Sequence, residues 1–281
     1  MNKSLLSNIV EGISFKVNQL SGAIYKSDLG LDILSITYLK HLPKDDILKK
    51  LKLKFGTVYY TSPADLYHSL VEIFQDKIYL QELKENSYIL DCGANIGLSA
   101  IYLKSICPSA TIESFEPDSK NFDLLTKNVQ SCGLTNVQLH KKAVWKENTT
   151  LLFVNDGSLS SRVDVSPTKN KTVEVEAVRL RDFMTKTIDF LKIDIEGAEY
   201  EVLKDIEDKL HLVNNFFLEY HGTFSQNDQL LEMLEIVKKA GFRFYIREAG
   251  VVYTTPFLRK DDGVTRIYDV QLNIFCFREN S

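Results

Sequence analysis

From Ser87 onward the chain alternates short apolar runs with longer runs of helical period, and this alternation constrains the fold more than any single residue. The first pair is YILDCGANIGLSAIYL, Tyr88 to Leu103, which reads as strand, glycine turn and helix. ATIESFEPD reads as a strand and SKNFDLLTKNVQSCG as a helix closing on Gly133. VQLHKKAVW and TLLFV are expected as strands, and TVEVEAVRLRDF alternates Val173, Val175 and Ala177 against charged residues as a half-exposed strand does. DFLKIDIEG is dominated by apolar residues, as a buried central strand should be. A helix (AEYEVLKDIEDKL), a strand (NNFFLEYH) and a second helix closing on Gly241 (NDQLLEMLEIVKKAG) come next. The last two strands, FRFYIREAG and VQLNIFCFREN, have no helix between them. This order predicts an α/β fold: a doubly wound, mostly parallel sheet with an antiparallel final strand.

Residues 1–85 carry no strand–glycine–helix unit and are expected as a mainly helical N-terminal extension to the domain at 86–281. TSPADLYHSLVEIF shows a helix start, with Ser62 as cap and Pro63 at the first helical position. KKLKLK, Lys49 to Lys54, is expected as the solvated side of a helix. Apart from that run there is no dense basic stretch, and a formal net charge of −4 argues against a nucleic-acid partner. The four cysteines form no C-x-x-C pair, so ordinary reduced thiols are expected. No stretch approaches the roughly 20 apolar residues needed to span a bilayer, and a cytoplasmic location is expected. A Ser/Asp/Gly/Lys-rich loop between Asn155 and Thr172 falls where an acceptor loop can sit, with Ser158, Ser160, Ser161 and Arg162 as candidate substrate contacts.

In open α/β sheets ligands lie beyond the carboxyl ends of the strands. The first strand here ends in Asp91, Gly93, Asn95 and Gly97, the second in Glu116, Pro117 and Asp118, and the fourth parallel strand in Asp194. Glu116 follows the turn by about 20 residues, where a carboxylate accepts hydrogen bonds from a ribose diol. That acid serves NAD and S-adenosylmethionine (SAM) alike. The turn discriminates. Its glycines are spaced G-x-x-x-G with an asparagine between them, and Asp91 just before them repels a pyrophosphate. A zwitterionic amino acid on a nucleoside suits it better, with Asp91 near the ammonium and backbone N–H groups facing the carboxylate.

DCGANIG, FEPD, LKIDIEGAEYEVLK and LEYH, in this order, resemble the FkbM-type SAM-dependent methyltransferases, and the likeness covers roughly Phe55 to the C-terminus. The resemblance implies a Rossmann-like fold, SAM as methyl donor and O-methylation of a sugar, glycan or polyketide-type hydroxyl. By the same match Asp91, Gly93, Asn95 and Gly97 line the methionine part and Glu116 the ribose, Pro117 is a further cofactor-binding residue, and Ala143 and Val144 lie near the adenine. Cys92 departs from the valine or isoleucine common at its position.

Methyl transfer from a sulfonium needs an acceptor held in line with the leaving sulfur, and an alcohol gains from a base. The candidates are Asp194 and Glu196 after the fourth parallel strand and Glu219 and His221 after the fifth. His221 is the preferred base because an imidazole is substantially neutral at pH 7. Asp194 is placed at the cofactor amine or the acceptor, and Glu196 at the substrate or the following helix start. Glu199 is expected to face solvent or a lysine. These groups also suit a divalent cation such as Mg²⁺, although no D-x-D or DD pair marks a metal site, and no metal ligand is assigned. The expected partner is a small-molecule or glycan acceptor, and homo-oligomer formation is compatible with the sequence. Transfer to nitrogen or carboxylate, or SAM binding without turnover, are the alternatives; glycine spacing disfavours an NAD-dependent oxidoreductase.

Overall fold

The computed structural model of the chain describes residues 28–42, 47–154, 162–163, 172–259 and 266–278. In chain order the elements are α1 (Ile33–His41), β1 (Lys49–Leu53), β2 (Gly56–Tyr60), α2 (Pro63–Leu70), β3 (Tyr88–Cys92), α3 (Leu98–Ile106), β4 (Thr111–Phe115), α4 (Ser119–Ser131) and β5 (Val137–His140). They continue with β6 (Ala143–Trp145), β7 (Thr149–Val154), β8 (Arg162–Val163), β9 (Thr172–Arg179), β10 (Ile188–Ile193), α5 (Glu199–Asp205), β11 (Val213–Gly222), α6 (Asn227–Lys239), β12 (Arg243–Glu248) and β13 (Val270–Phe277). Two compact units share these elements: Met1–Glu82 with Ile96–Ile106 and Leu124–Thr135, and Leu83–Asn95 with Cys107–Asp123 and Asn136–Ser281.

In the first unit, α2 begins where its capping signals place it, with Ser62 Oγ accepting from Asp65 N and Pro63 at the first position. KKLKLK is a strand and not a helix. β1 pairs antiparallel with β2 around the Gly56 turn. The K-L-K-L alternation has period two, which puts Leu53 in the core while Lys50 and Lys52 are exposed. Asn128, fully buried on α4, accepts from Tyr59 N (2.6 Å) and donates to Tyr59 O (3.0 Å) and Ile96 O (2.8 Å), so backbone groups at both places find partners.

The second unit is built on a seven-stranded sheet of order β12-β13-β11-β10-β3-β4-β5. β3, β4, β5, β10 and β11 are parallel, and β13 runs antiparallel to both β11 and β12. The expected α/β class and antiparallel final strand are therefore present. The chain builds outward from β3 through β4 to β5, then returns to β10 on the other side of β3. Strand order reverses there, and the crevice at such a reversal opens at the carboxyl ends of β3 and β10. VQLHKKAVW splits at Lys141 and Lys142: β5 stays in the large sheet, while β6 joins a smaller sheet of order β6-β9-β7-β8.

All five residues of β3 are buried, as expected of a strand covered on both faces. Leu90, Leu191, Phe216 and Leu218 pack in one core with Val202 and Leu203 of α5 and Met233, Ile236 and Val237 of α6. The α6 residues fall at helical spacing on one face, and each fully buried side chain of this size stabilises by about 1.5–3 kcal/mol. The four cysteines are free thiols. Among the described residues no helix is long and apolar enough to cross a membrane.

The turn after β3 depends on a close backbone approach. Gly93 has φ +85°, and a Cβ on it would lie 1.7 Å from the Asp194 carbonyl oxygen. Gly133 has φ +62° with nothing within 4 Å of a built Cβ. Gly133→Ala should therefore cost only the left-handed backbone penalty, about 1–2 kcal/mol. Gly93→Ala should cost more than about 3 kcal/mol or fail to fold. Urea unfolding of the two variants checks this, and equal costs would refute the close approach.

Candidate functional site

The turn Asp91–Asn95 is held by its neighbours rather than left open. Gly93 N and Ala94 N both donate to Phe115 O (3.0 and 2.9 Å), and Asn95, at φ +48°, donates its N–H to Glu116 Oε2 at 2.9 Å. These three N–H groups are thus committed. They form no cradle for a pyrophosphate, and the expected carboxylate contact does not fall on them. Gly97, at φ +92°, closes the turn; a Cβ there would meet Leu125 Cδ1 at 2.7 Å.

Glu116 ends β4 and is buried. Its Oε1 accepts from Asp118 N at 2.9 Å, and with Oε2 on Asn95 it joins the two turns that follow β3 and β4. Burial pushes its carboxyl up to about 8, against the lowering effect of those two backbone donors. Pro117 is half-buried beside it. Ala143 and Val144 lie in β6, both buried; Val144 belongs to the main core, and Ala143 packs with Ala177.

Lys192 is a missed residue of the site. It is the penultimate residue of β10, 2% exposed, with Nζ 3.4 Å from Asp91 Oδ1 and 3.3 Å from Asp194 Oδ2. Nζ also donates to Gly93 O at 2.7 Å. Burial alone would lower this ammonium, but the Asp194 and Asp91 carboxylates outweigh it and hold the group above its ordinary value. Asp91, fully buried, therefore faces a lysine from within the protein. A lysine inside the apolar run FLKI was the available sequence signal, since a charge is almost never buried unless it is paired.

At the carboxyl ends of β10 and β11 the expected acids and imidazole do converge, with Glu219 and His221 inside β11 rather than after it. Asp194, Glu219 and His221 each offer an atom within 4.8 Å of the other two. His221 is buried, with Nδ1 3.2 Å from Glu199 Oε1, and Nε2 3.4 Å from Glu219 Oε1 and 3.7 Å from Glu196 Oε2. Burial alone would lower it, but the hydrogen bonds to Glu199 and Glu219 prevail and hold the imidazole well above its usual 6.5. These surroundings favour the imidazolium, against the neutral base expected from its unperturbed value. Burial raises Glu196 to about 7, partly offset by His221. Glu219 is raised by burial and by Asp194.

Glu199 does not face solvent. It is 1% exposed and accepts from Ile195 N (3.2 Å) and Gly197 N (2.9 Å) as well as facing His221. Its carboxylate shapes the loop in which Glu196 takes φ +59°. The backbone contact at the start of the following helix, expected of Glu196, thus belongs to Glu199. Tyr268 completes this loop by donating its hydroxyl to Glu196 O at 2.7 Å, with its ring 5.0 Å from that of His221. No sequence spacing linked Tyr268 to this cluster. Ser158, Ser160 and Ser161 lie outside the described residues, and Arg162 is described only as part of β8.

A carboxyl raised from 4.5 to about 8 stabilises the fold fully below pH 4.5 and loses that contribution as pH rises through about 8. Glu116→Gln removes this dependence. Between pH 5 and pH 8 the ligand-free wild type should lose stability relative to the variant by up to about 1.4 kcal/mol per pH unit. Urea unfolding at the two pH values measures it; a constant difference would refute an uncompensated buried carboxyl.

The profile of the methyltransferase FkbM domain matches residues 91–244, more than half of the chain. "Methyltransferase 1" of Beauveria bassiana (strain ARSEF 2860) is 28% identical over 221 residues, covering 66% of this chain and 88% of that protein. The 31-O-demethyl-FK506 methyltransferase FkbM of Streptomyces tacrolimicus is 27% identical over 201 residues, covering 58% and 77%. A crystal structure of methyltransferase FkbM from Methylobacillus flagellatus KT is 15% identical with a TM-score of 0.47, covering 89% of this chain and 60% of that one. The matched segment begins at the β3 turn and takes in Glu116, Lys192, Asp194, Glu219 and His221, and by that match the chain belongs to the FkbM methyltransferase family.

Proposed function

We propose that the protein is a SAM-dependent O-methyltransferase acting on a hydroxyl of a sugar, glycan or polyketide-type small molecule. The observation that carries this reading is the convergence of Asp194, Glu219 and His221 beside the β3 turn, at the point where strand order reverses. Glu116 takes the ribose diol with the lone pairs its two backbone donors leave free, beside Pro117. The Asp91–Gly97 turn takes the methionine part, and Ala143 and Val144 lie toward the adenine. Glu196 contacts the acceptor.

Bound there, SAM would supply a methyl group activated on a sulfonium sulfur, and the chain's own residues would hold the acceptor hydroxyl in line with it. The hydroxyl proton goes to the protein. Since three carboxylates favour the imidazolium form of His221, the acceptor of that proton is the Glu219–His221 pair, with the negative end on Glu219 and the imidazole as its orienting partner. Asp194 lies where it can orient the hydroxyl or the cofactor amine. The surplus of carboxylates favours as the second reading an amine acceptor, bound as its ammonium and deprotonated by the same pair before its nitrogen lone pair attacks, and disfavours a carboxylate acceptor.

Isothermal titration should find one site for S-adenosylhomocysteine and none for NADH; the reverse would overturn the reading. With an acceptor found by mass-spectrometric screening, Glu219→Gln should lower kcat by about 10²–10⁴-fold while leaving S-adenosylhomocysteine affinity within a few-fold. Unchanged kcat would place the base elsewhere.

A further inference from the structure

We infer that Asp194, Glu219 and His221 bind one first-row divalent cation, with Mn²⁺ as its representative, at the carboxyl ends of β10 and β11. One ligand atom from each lies within 4.8 Å of the other two. Neighbouring ligands of an octahedral ion bonded at about 2.1 Å are about 3 Å apart, and opposite ones about 4.2 Å. His221 Nε2 to Glu219 Oε1 is 3.4 Å, near the spacing of neighbouring ligands.

The frame that carries these atoms is rigid. β10 and β11 are adjacent parallel strands in register, Ile193 opposite Leu218, so Asp194 and Glu219 leave neighbouring strand positions. Glu199 supports the imidazole from behind. With Nδ1–H donated to the Glu199 carboxylate at 3.2 Å, a cation that displaces the Nε2 proton would find that nitrogen turned toward Glu219 and Glu196. A carboxylate holding the far nitrogen of a histidine is the usual second support of a metal ligand.

Charge points the same way, independently of ligand spacing. Asp91, Asp194, Glu196, Glu199 and Glu219 gather around Lys192 and His221, so acidic side chains outnumber basic ones, and a ligating His221 would leave Lys192 as the cation among them. Buried charge of one sign without a partner is costly, and SAM, with two positive groups and one carboxylate, removes only part of the surplus. Two carboxylate oxygens and one imidazole suit Mn²⁺, Fe²⁺ or Zn²⁺ better than Ca²⁺.

The site deepens the methyl-transfer reading and rests on it. Three protein ligands leave up to three positions of an octahedron open, which fits an acceptor with two adjacent oxygens, such as a vicinal diol or a hydroxy acid. A bound ion would lower the hydroxyl's pKa and fix its direction.

The test is Mn²⁺ titration of the metal-stripped full chain, with and without S-adenosylhomocysteine, following the free-ion signal by electron paramagnetic resonance. One bound ion per chain is expected, weakened at least tenfold by Glu219→Gln and by His221→Gln and unchanged by Glu235→Gln, whose site is an exposed α6 position. Circular dichroism melts establish that the variants fold; where one does not, Asp194→Asn carries the same expectation. No bound Mn²⁺ in either state, or binding unmoved by these variants, overturns the inference and leaves the methyl-transfer reading standing. Mn²⁺ binding without S-adenosylhomocysteine binding would overturn the methyl-transfer reading and leave the cation site.

Discussion

The ammonium of Lys192 is the contact on which the rest of the second unit's arrangement depends. It stands where strand order reverses, between the last residues of β3 and β10, and meets Asp91, Asp194 and the Gly93 carbonyl. Without it two carboxylates would face each other inside the sheet. With it, β3 and β10 end at one level, and Gly93 can approach the Asp194 backbone as closely as only a glycine permits. An ion triad of this kind adds little net stability over a well-packed apolar core, but removing one member leaves an uncompensated buried charge at a cost of about 3–5 kcal/mol. Its consequence is positional: it fixes the β3 turn relative to the strand that delivers Asp194.

A second layer of fixed carboxylates builds on that frame. Glu116 ties the turn after β3 to the turn after β4, and Glu199 ties the loop after β10 to the imidazole at the end of β11. Both are buried acids whose oxygens accept backbone N–H groups, so each serves to hold the loops around it. Asp194, Glu196 and Glu219, more exposed than these two, are left facing the crevice. This division separates acids that hold the loops from acids that meet a ligand.

Much of the architecture was legible in the sequence because alternating apolar runs report the strands directly. The run YILDC, the glycine closures at Gly133 and Gly241 and the helix-free stretch before VQLNIFCF all fell on elements of the expected kind. KKLKLK did not, because a charge pattern was weighed ahead of a strict two-residue period that was in plain view. VQLHKKAVW hid a change of sheet that no local pattern records, since β6 finds its partner at β9, some 30 residues on. Within the site, Asp194, Glu219 and His221 were legible because strand ends in such folds meet ligands. Lys192, Glu199 and Tyr268 were not, since their roles depend on what lies across the sheet or beyond the next helix. The state of His221 was misjudged for the same reason: its unperturbed value holds only where no carboxylate stands near.

The surplus of negative charge bears on how the proposed chemistry can be fast. A methyl donor carries its positive charge on sulfur before reaction and loses it afterwards. Carboxylates that face the sulfonium therefore stabilise the ground state more than the transition state, where that charge is already dispersing. By the logic of differential binding this slows transfer. An arrangement that neutralises its carboxylates through Lys192 and His221, or through an ion at the open end, avoids that penalty. It directs the remaining charge at the acceptor proton, where negative character is needed only as oxygen attacks. On the proposed reading, the pairing of Lys192 with Asp91 and Asp194 would serve catalysis as well as folding, because it would limit how much of the cluster's charge the sulfonium experiences.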